Sequence, residues 1–223
     1  ERGVPLLGHN AMGFYNNDIG LRVCGFEAPD ENITGNISFI SQSGSAFSTI
    51  GHNETQLKFN FMVATGTGQV TSLSDYMLYA LNMETTKVLG LYMESVRKPE
   101  GFIEALKLAA EKKIPVVAMK VGKSELGAKF ALSHTGGLAG DDDAIQAVFN
   151  HYGVHRVESL DELAATLALF SFWPNDYHKG SIVAIADSGG ERNLLADAAE
   201  DVGLDYAELS KETMEELAKI QEY

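Results

Sequence analysis

In the segment Ile37-Ser38-Phe39-Ile40-Ser41-Gln42-Ser43-Gly44-Ser45, a short apolar run passes directly into a turn of serine and glycine. The β-branched and aromatic residues of 37–40 predict a buried strand, and the apolar spacing from about Ala46 predicts a helix. A strand, a tight turn and a helix in this order are typical of the repeating unit of an α/β protein.

The same alternation continues along the chain. Strands are predicted at 59–63, 88–93, 114–119 and 154–157, and helices at 73–81, 99–112, 141–152 and 160–171. Pro99 stands near the start of its helix, where its fixed φ is favourable. The sequence therefore predicts a flavodoxin-like parallel sheet with helices on both faces.

A linker at 173–179 interrupts this alternation. An apolar strand at 181–186, a Gly189-Gly190 turn and helices at 193–201 and 211–221 follow, which predicts the start of a second flavodoxin-like domain, truncated, over 180–223. Residues 1–16 have no evident partner strands, so 1–20 are interpreted as the end of a preceding domain, and 36–175 as the first flavodoxin-like domain. We expect the sequence to be a fragment of a longer polypeptide, cut inside domains at both ends.

Composition excludes several classes of partner. The 223 residues carry 17 Lys and Arg against 31 Asp and Glu, a net charge of −14, and the basic residues form no cluster. Such a chain repels nucleic acids and anionic membranes, so we expect neither as a partner. Cys24, the one cysteine, cannot form an internal disulfide, and the sequence has neither a signal-peptide pattern nor an apolar run of about 18 residues. A cytoplasmic location is expected.

Two Ser/Gly turns are candidate anion sites, because each follows a predicted strand and opens a helix, where backbone N–H groups and the helix dipole converge. The candidates in the first turn are Ser41, Ser43, Gly44 and Ser45, and those in the second are Gly189 and Gly190. The alternative for the first turn is a serine N-cap with a glycine for tight turning. We expect the two turns to face one another across a domain interface and to share one anion.

A third candidate lies in the Gly-rich loop at 121–140, which contains Ser133-His134-Thr135-Gly136. Small neighbours leave the His134 imidazole open to a large reactant; the alternative is a loop histidine that only caps or hydrogen-bonds. Glu94 follows the predicted strand 88–93, and sites of α/β proteins form at the carboxyl ends of strands. Its carboxylate could fix the tautomer of an imidazole, the alternative being a surface glutamate. No Cys/His cluster has the spacing of a metal site, so no metal ligands are expected.

Four segments together resemble one enzyme family. These are Ile40-Ser41-Gln42-Ser43-Gly44, Leu91-Tyr92-Met93-Glu94, the stretch 120–128 and, above all, Ser133-His134-Thr135-Gly136-Gly137-Leu138-Ala139-Gly140. They look like the NDP-forming acyl-CoA synthetases, relatives of the succinyl-CoA synthetase chains, and the resemblance covers about residues 5–209. It implies that His134 is phosphorylated in turn by ATP and by an acyl phosphate, and that Glu94 contacts it. It also implies that two helix N-termini, matching 41–45 and 189–191, hold the phosphoryl group together with Thr135 and Gly136.

The first residues carry a weaker match. Residues 7–13 are similar to the family's Gly-Pro-Asn-Cys-x-Gly segment at the end of its CoA-binding domain, which implies that 1–20 end such a domain. His9 and Ala11 replace the proline and the cysteine, whereas Asn10 is retained as a candidate CoA or acyl contact. The run Gly66-Thr67-Gly68-Gln69-Val70 departs from the family's usual Gly-Asn and Asp, and so indicates a different acyl substrate or a divergent subfamily.

The resemblance implies a reaction in which a carboxylic acid, CoA and ATP give acyl-CoA, ADP and phosphate. CoA and ATP with Mg²⁺ are the implied cofactors, and an ATP-grasp domain or subunit is the implied partner, in an oligomer when the protein is complete. The fragment alone is expected to be inactive and to bind phosphate or sulfate at most. One alternative is a catalytically inactive ligand-sensing module of a protein acetyltransferase. Another is a flavodoxin-like FMN binder. The acyl group and the choice of ATP or GTP stay open.

Overall fold

The computed structural model describes residues 6–25, 34–52, 57–124, 126–127, 141–173 and 181–220. The chain divides into two compact units, residues 1–176 and 177–223.

The first unit is built on a seven-stranded sheet. Its strands are β1 (Gly13–Asn16), β2 (Leu21–Cys24), β3 (Ile37–Ser41), β4 (Phe59–Ala64), β5 (Val88–Met93), β6 (Val116–Lys120) and β7 (His155–Val157). They lie in the order β2-β1-β4-β3-β5-β6-β7. Strands β3 to β7 are mutually parallel, and counted from β3 their order is that of flavodoxin. The predicted fold is confirmed.

Five helices cover the two faces of this sheet. They are α1 (Gly44–Gly51), α2 (Leu73–Leu81), α3 (Pro99–Glu111), α4 (Asp142–Tyr152) and α5 (Leu160–Phe172). Met77, Phe102 and Phe149 of α2, α3 and α4 are buried against one face, and Phe47 of α1 and Leu167 of α5 against the other. Because helices pack on both sides, strands β3 and β4 are buried at every residue and are mostly apolar. Of their buried polar residues, the Ser38 hydroxyl donates to the Asn60 side-chain oxygen at 2.9 Å.

The amino-terminal strands correct one expectation. Strand β1 pairs antiparallel with both β2 and β4, with Phe14 opposite Val23 and Val63. The expectation that residues 1–16 lack partner strands was therefore wrong for Gly13–Asn16, and the sheet begins ahead of the predicted domain start at residue 36. The sequence does not reveal this pairing, because each strand has only four residues and the choice of β4 as neighbour is non-local. That residues 1–20 end a preceding domain stays a prediction.

The second unit contains α6 (Gly189–Asp201) and α7 (Lys211–Ile220). Ile182, which precedes α6, and Tyr206, which follows it, form one isolated parallel β-bridge. This bridge is all that the structure shows of the strand predicted at 181–186, since residues 181–220 contain no other strand pairing. Helix α6 begins four residues earlier than predicted, at Gly189. In the parts of both units that the structure describes, no helix is long and apolar enough to cross a membrane.

Candidate functional site

The carboxyl ends of β3 and β5 form the natural crevice of this sheet. From β3 the chain passes to β4 on one side, and then crosses back to β5 on the other side of β3. Such a switch of direction leaves an opening beyond the strand ends, and ligands of open α/β sheets bind there. The turn 41–45 leaves β3 at this edge, and Glu94 directly follows β5 at the same edge. The structure thus brings two of the predicted site segments together.

The turn after β3 is held by its own serines. The Ser41 hydroxyl donates to the carbonyl of Ser43 at 2.6 Å and accepts from the Ser43 N–H at 3.1 Å. Ser43 is the N-cap of α1, and its hydroxyl accepts from the N–H of Ala46 at 3.3 Å. Among the residues described, the N–H groups of Gly44 and Ser45 then remain as this turn's donors without a protein acceptor. They are the groups of the turn that an anion can use.

Gln42 joins this turn to the end of β5. Its N–H donates to the carbonyl of Tyr92 at 2.9 Å. Its side-chain oxygen accepts from the N–H groups of Glu94 and Ser95, at 2.5 and 2.9 Å, and its side-chain nitrogen donates to the Ser95 carbonyl at 2.9 Å. Glu94 itself is half-buried. The backbone that carries its carboxylate is therefore fixed relative to the turn.

His134, Thr135 and Gly136 lie outside the described residues, so their predicted contacts stay predictions. The residues that flank this segment are described. The Val121 N–H donates to the carbonyl of Met93, the last residue of β5, at 3.0 Å. The segment that carries His134 therefore departs from the strand end next to Glu94.

Asn10 lies in an exposed turn with φ 61°, packed on the loop that follows β4. A Cβ on Gly66, which has φ 57°, would lie 2.4 Å from the carbonyl oxygen of His9, so only glycine allows this approach. Nδ1 of His9 lies 3.2 Å from the Thr67 hydroxyl. His9 and Thr67, which both depart from the pattern of the resembling family, thus contact each other.

The same segment also reaches α1. The side chain of Met12 fills the space beside Gly44, where an added Cβ would lie 2.4 Å from Met12 Cγ. Asn10 is therefore on a segment that contacts the N-terminus of α1. Its predicted role toward CoA or an acyl group stays a prediction.

Gly189 and Gly190 form the first turn of α6 in the second unit. The prediction that they share an anion with the turn 41–45 stays a prediction. Within the described ranges of both units, no group of three or more His, Cys, Asp or Glu side chains could hold a metal ion.

Comparison with known proteins connects this site to a family. The family model described as the succinyl-CoA ligase like flavodoxin domain matches residues 34–170, which include the turn after β3, Glu94 and the loop 121–140. The chain belongs to this family. It is 34% identical over 218 residues to an ADP-forming acetate–CoA ligase I of Archaeoglobus fulgidus, covering 96% of this chain and 31% of that protein. It is also 34% identical to the alpha subunit of an ADP-forming acetate–CoA ligase II of Pyrococcus furiosus, covering 96% of this chain and 46% of that subunit.

Solved structures agree with the fold of this succinyl-CoA ligase-like chain. A dinucleotide-forming acetyl-coenzyme A synthetase 1 of Ca. Korarchaeum cryptofilum, in complex with phosphate and ADP, superposes with a TM-score of 0.80 at 22% identity. The match covers 99% of this chain and 47% of the synthetase chain. The succinyl-CoA ligase-like chain thus spans between 31% and 47% of the length of these relatives.

Sequence analysis does not identify two residues of the succinyl-CoA ligase-like domain as part of the site. Gln42 lies within the Ser41-Gln42-Ser43-Gly44 turn, but its side-chain partners are 52 and 53 residues away. Lys120 ends β6 beside Met93 of β5 and is only 4% exposed. The pKa of Lys120 lies below its ordinary value, chiefly because burial disfavours the charged ammonium group. The carboxylates of Asp142 and Glu94 partly oppose this shift, whereas Arg156 adds to it. A lysine at the end of a buried strand is the sequence signal that could have identified it.

Proposed function

We propose that this chain supplies the ligase part of an NDP-forming acyl-CoA synthetase, which converts a carboxylic acid, CoA and ATP to acyl-CoA, ADP and phosphate. The observation that carries the proposal is the pairing of two chemical elements at one crevice. Gln42 holds the backbone of Glu94 next to the turn that presents the N–H donors of Gly44 and Ser45. The N–H donors suit a phosphoryl group, and the Glu94 carboxylate suits the orientation of an imidazole.

His134 is the proposed phosphoryl carrier. One imidazole nitrogen would attack the γ-phosphorus of ATP, forming a P–N bond as the bond to ADP breaks. His134 would then pass the phosphoryl group to the carboxylate of the acid, giving an acyl phosphate. CoA supplies the thiol that receives the acyl group, and phosphate leaves with the thiol proton. Glu94 would accept a hydrogen bond from the second imidazole nitrogen and so keep the attacking nitrogen unprotonated.

The turn after β3 fits this chemistry. The transferred phosphoryl group spreads its charge over three oxygens, and backbone N–H donors at a helix N-terminus stabilise that charge without reorganising. Gly44 and Ser45 provide two such donors, and the exposed Ser45 hydroxyl lies beside them. We assign a second set of phosphoryl-binding groups to Gly189, Gly190, Thr135 and Gly136.

The remaining reactants need contacts beyond this site. Asn10, exposed next to the N-terminus of α1, is the proposed contact for CoA or the acyl group. We assign ATP and its Mg²⁺ to an ATP-grasp domain or subunit. The subunit name of the Pyrococcus furiosus relative supports a partner on a separate chain. Acetate and related small carboxylic acids are the substrates that the relatives' names favour.

Labelling of the protein tests this function directly. The complete enzyme is incubated with γ-³²P-ATP, and label that is stable to base but labile to acid is followed on the protein. Wild type should be labelled and should form acyl-CoA, whereas His134→Ala should do neither. The control is His52→Ala, which removes an exposed histidine beyond the carboxyl end of α1. His52→Ala should be labelled like wild type. Equal labelling of His134→Ala would contradict the proposal, and an unlabelled wild type would favour a sensing module without catalysis.

A further inference from the structure

The side chain of Gln42 continues the pairing of β3 with β5 after the backbone of β3 has turned away. The last Cα pair of the two strands is Ser41 with Tyr92. Beyond it, the Gln42 N–H still bonds to the Tyr92 carbonyl. The Gln42 amide group then takes the place of a strand backbone, accepting from Glu94 and Ser95 and donating to Ser95.

This arrangement uses both halves of the amide. Two N–H groups converge on its oxygen, and its NH₂ group serves a carbonyl, which matches the donors and acceptors of a glutamine side chain. Leucine would leave two N–H groups and one carbonyl without these partners. Since Ser95 is only 3% exposed, water cannot freely replace them. A carboxylate would keep the two acceptor contacts, but it would turn an oxygen toward the Ser95 carbonyl.

We propose that Gln42 is a positioning residue for phosphoryl transfer, which holds Glu94 at a set distance from the donor pair of Gly44 and Ser45. This inference rests on the proposed function. Gln42 immediately precedes the N-cap of α1, while its amide grips the residue that carries the carboxylate. The anion turn and the residue that orients the imidazole are thereby fixed to each other by one side chain.

Substitution of Gln42 should slow labelling only when Glu94 is present. Rates of labelling from γ-³²P-ATP are measured in single turnovers for wild type, Gln42→Leu, Glu94→Gln and the double variant of the complete enzyme. Gln42→Leu should slow labelling by about tenfold or more, because a displacement of about 1 Å can cost a hundredfold. The double variant should be no slower than Glu94→Gln, since Gln42 acts through the carboxylate that Glu94→Gln has already removed.

A matched control separates positioning from folding. The Asn82 side chain, at the end of α2 on the opposite edge, donates to the Leu78 carbonyl at 2.9 Å and accepts from Lys112 at 3.1 Å. Asn82→Leu should lower the melting temperature without slowing the labelling. Wild-type labelling of Gln42→Leu, or multiplying effects in the double variant, would overturn the inference alone. A Glu94→Gln variant labelled at the wild-type rate would overturn the proposed role of Glu94 and the inference with it.

A second variant tests the hydrogen-bond pattern and covers poor folding of Gln42→Leu. In Gln42→Glu the carboxylate can still accept from the N–H groups of Glu94 and Ser95, but it cannot donate to the Ser95 carbonyl. Labelling of Gln42→Glu should therefore be slower than that of wild type. Gln42→Glu combined with Glu94→Gln should be no slower than Glu94→Gln alone. Wild-type labelling of Gln42→Glu, or multiplying effects in this double variant, would contradict the proposed hydrogen-bond role.

Discussion

Arg156 on β7 holds Asp142 in the first turn of α4, with Nη2 at 2.9 and 3.0 Å from the two carboxylate oxygens. The Nη1 group of Arg156 donates to Gln146 one turn further along α4, at 2.9 Å. Asp142 and Gln146 share a helix face because they are four residues apart. The first turn of α4, which follows the loop 121–140, is thus tied to the sheet.

Loss of the Arg156 contacts should weaken the attachment of the first turn of α4 to the sheet. We expect Arg156→Met to lower the free energy of unfolding by about 1.5–3 kcal/mol, the range for hydrogen bonds to charged groups. In the complete enzyme it should also slow the labelling of His134. Lys107→Met is the control, because it removes only an exposed pair with Glu111 and should cost less than about 0.5 kcal/mol. Urea unfolding and single-turnover labelling measure the two effects. Normal labelling in a destabilised Arg156→Met would show that the tie serves stability only.

The N-cap of α1 should have a second role as part of the anion site. Ser43→Ala removes the hydroxyl that accepts from Ala46, and Ser159→Ala removes the equivalent hydroxyl at the start of α5, which accepts from Glu162 at 3.1 Å. Each substitution should cost about 1 kcal/mol. Only Ser43→Ala should also reduce the rise in melting temperature that inorganic phosphate produces, because it alters the turn that presents Gly44 and Ser45. An equal loss of the phosphate effect in both variants would argue against an anion site at α1.

Burial of Lys120 predicts a pH dependence of stability. Because burial lowers its pKa from the ordinary value of 10.5, the unfolded chain binds more protons than the folded chain between the folded pKa and 10.5. The stability of wild type, measured against Lys120→Met, should therefore increase as the pH is raised from 7 to 10. Lys123→Met provides the comparison for an exposed lysine. A wild-type stability that falls relative to Lys120→Met over this range would contradict the assigned direction.

Gly90 in the middle of β5 should be a packing requirement. A Cβ at this position would lie 3.0 Å from both Cδ atoms of Leu167 and 3.0 Å from Cδ2 of Phe39. We expect Gly90→Val to destabilise the first unit by about 1–3 kcal/mol through overpacking, and Gly90→Ala to destabilise it less. Adding Leu167→Ala to Gly90→Val should cost less than Leu167→Ala costs alone, because the valine fills part of the new space. Urea unfolding measures all four variants, and additive costs would contradict this explanation.

Local pattern alone predicts most elements of the first unit. The predicted bounds of α2 and β5 coincide with the observed Leu73–Leu81 and Val88–Met93, and β4 ends one residue later than predicted, at Ala64. These segments carry their own signals, since helical spacing and continuous apolar runs arise from burial on one or both sides. The turn after β3 and the strand-end place of Glu94 follow from the same signals.

Local sequence therefore predicts the series of strands, turns and helices, and with it the family to which the chain belongs. Only the folded chain shows that β1 lies against β4, that the Gln42 side chain bonds to the residues after β5, and that Lys120 is buried beside Met93 of β5. Those relationships join residues up to 53 positions apart, so no periodicity within a short window encodes them. They arise only when the switch of direction between β3, β4 and β5 brings separate strand ends to one edge of the sheet.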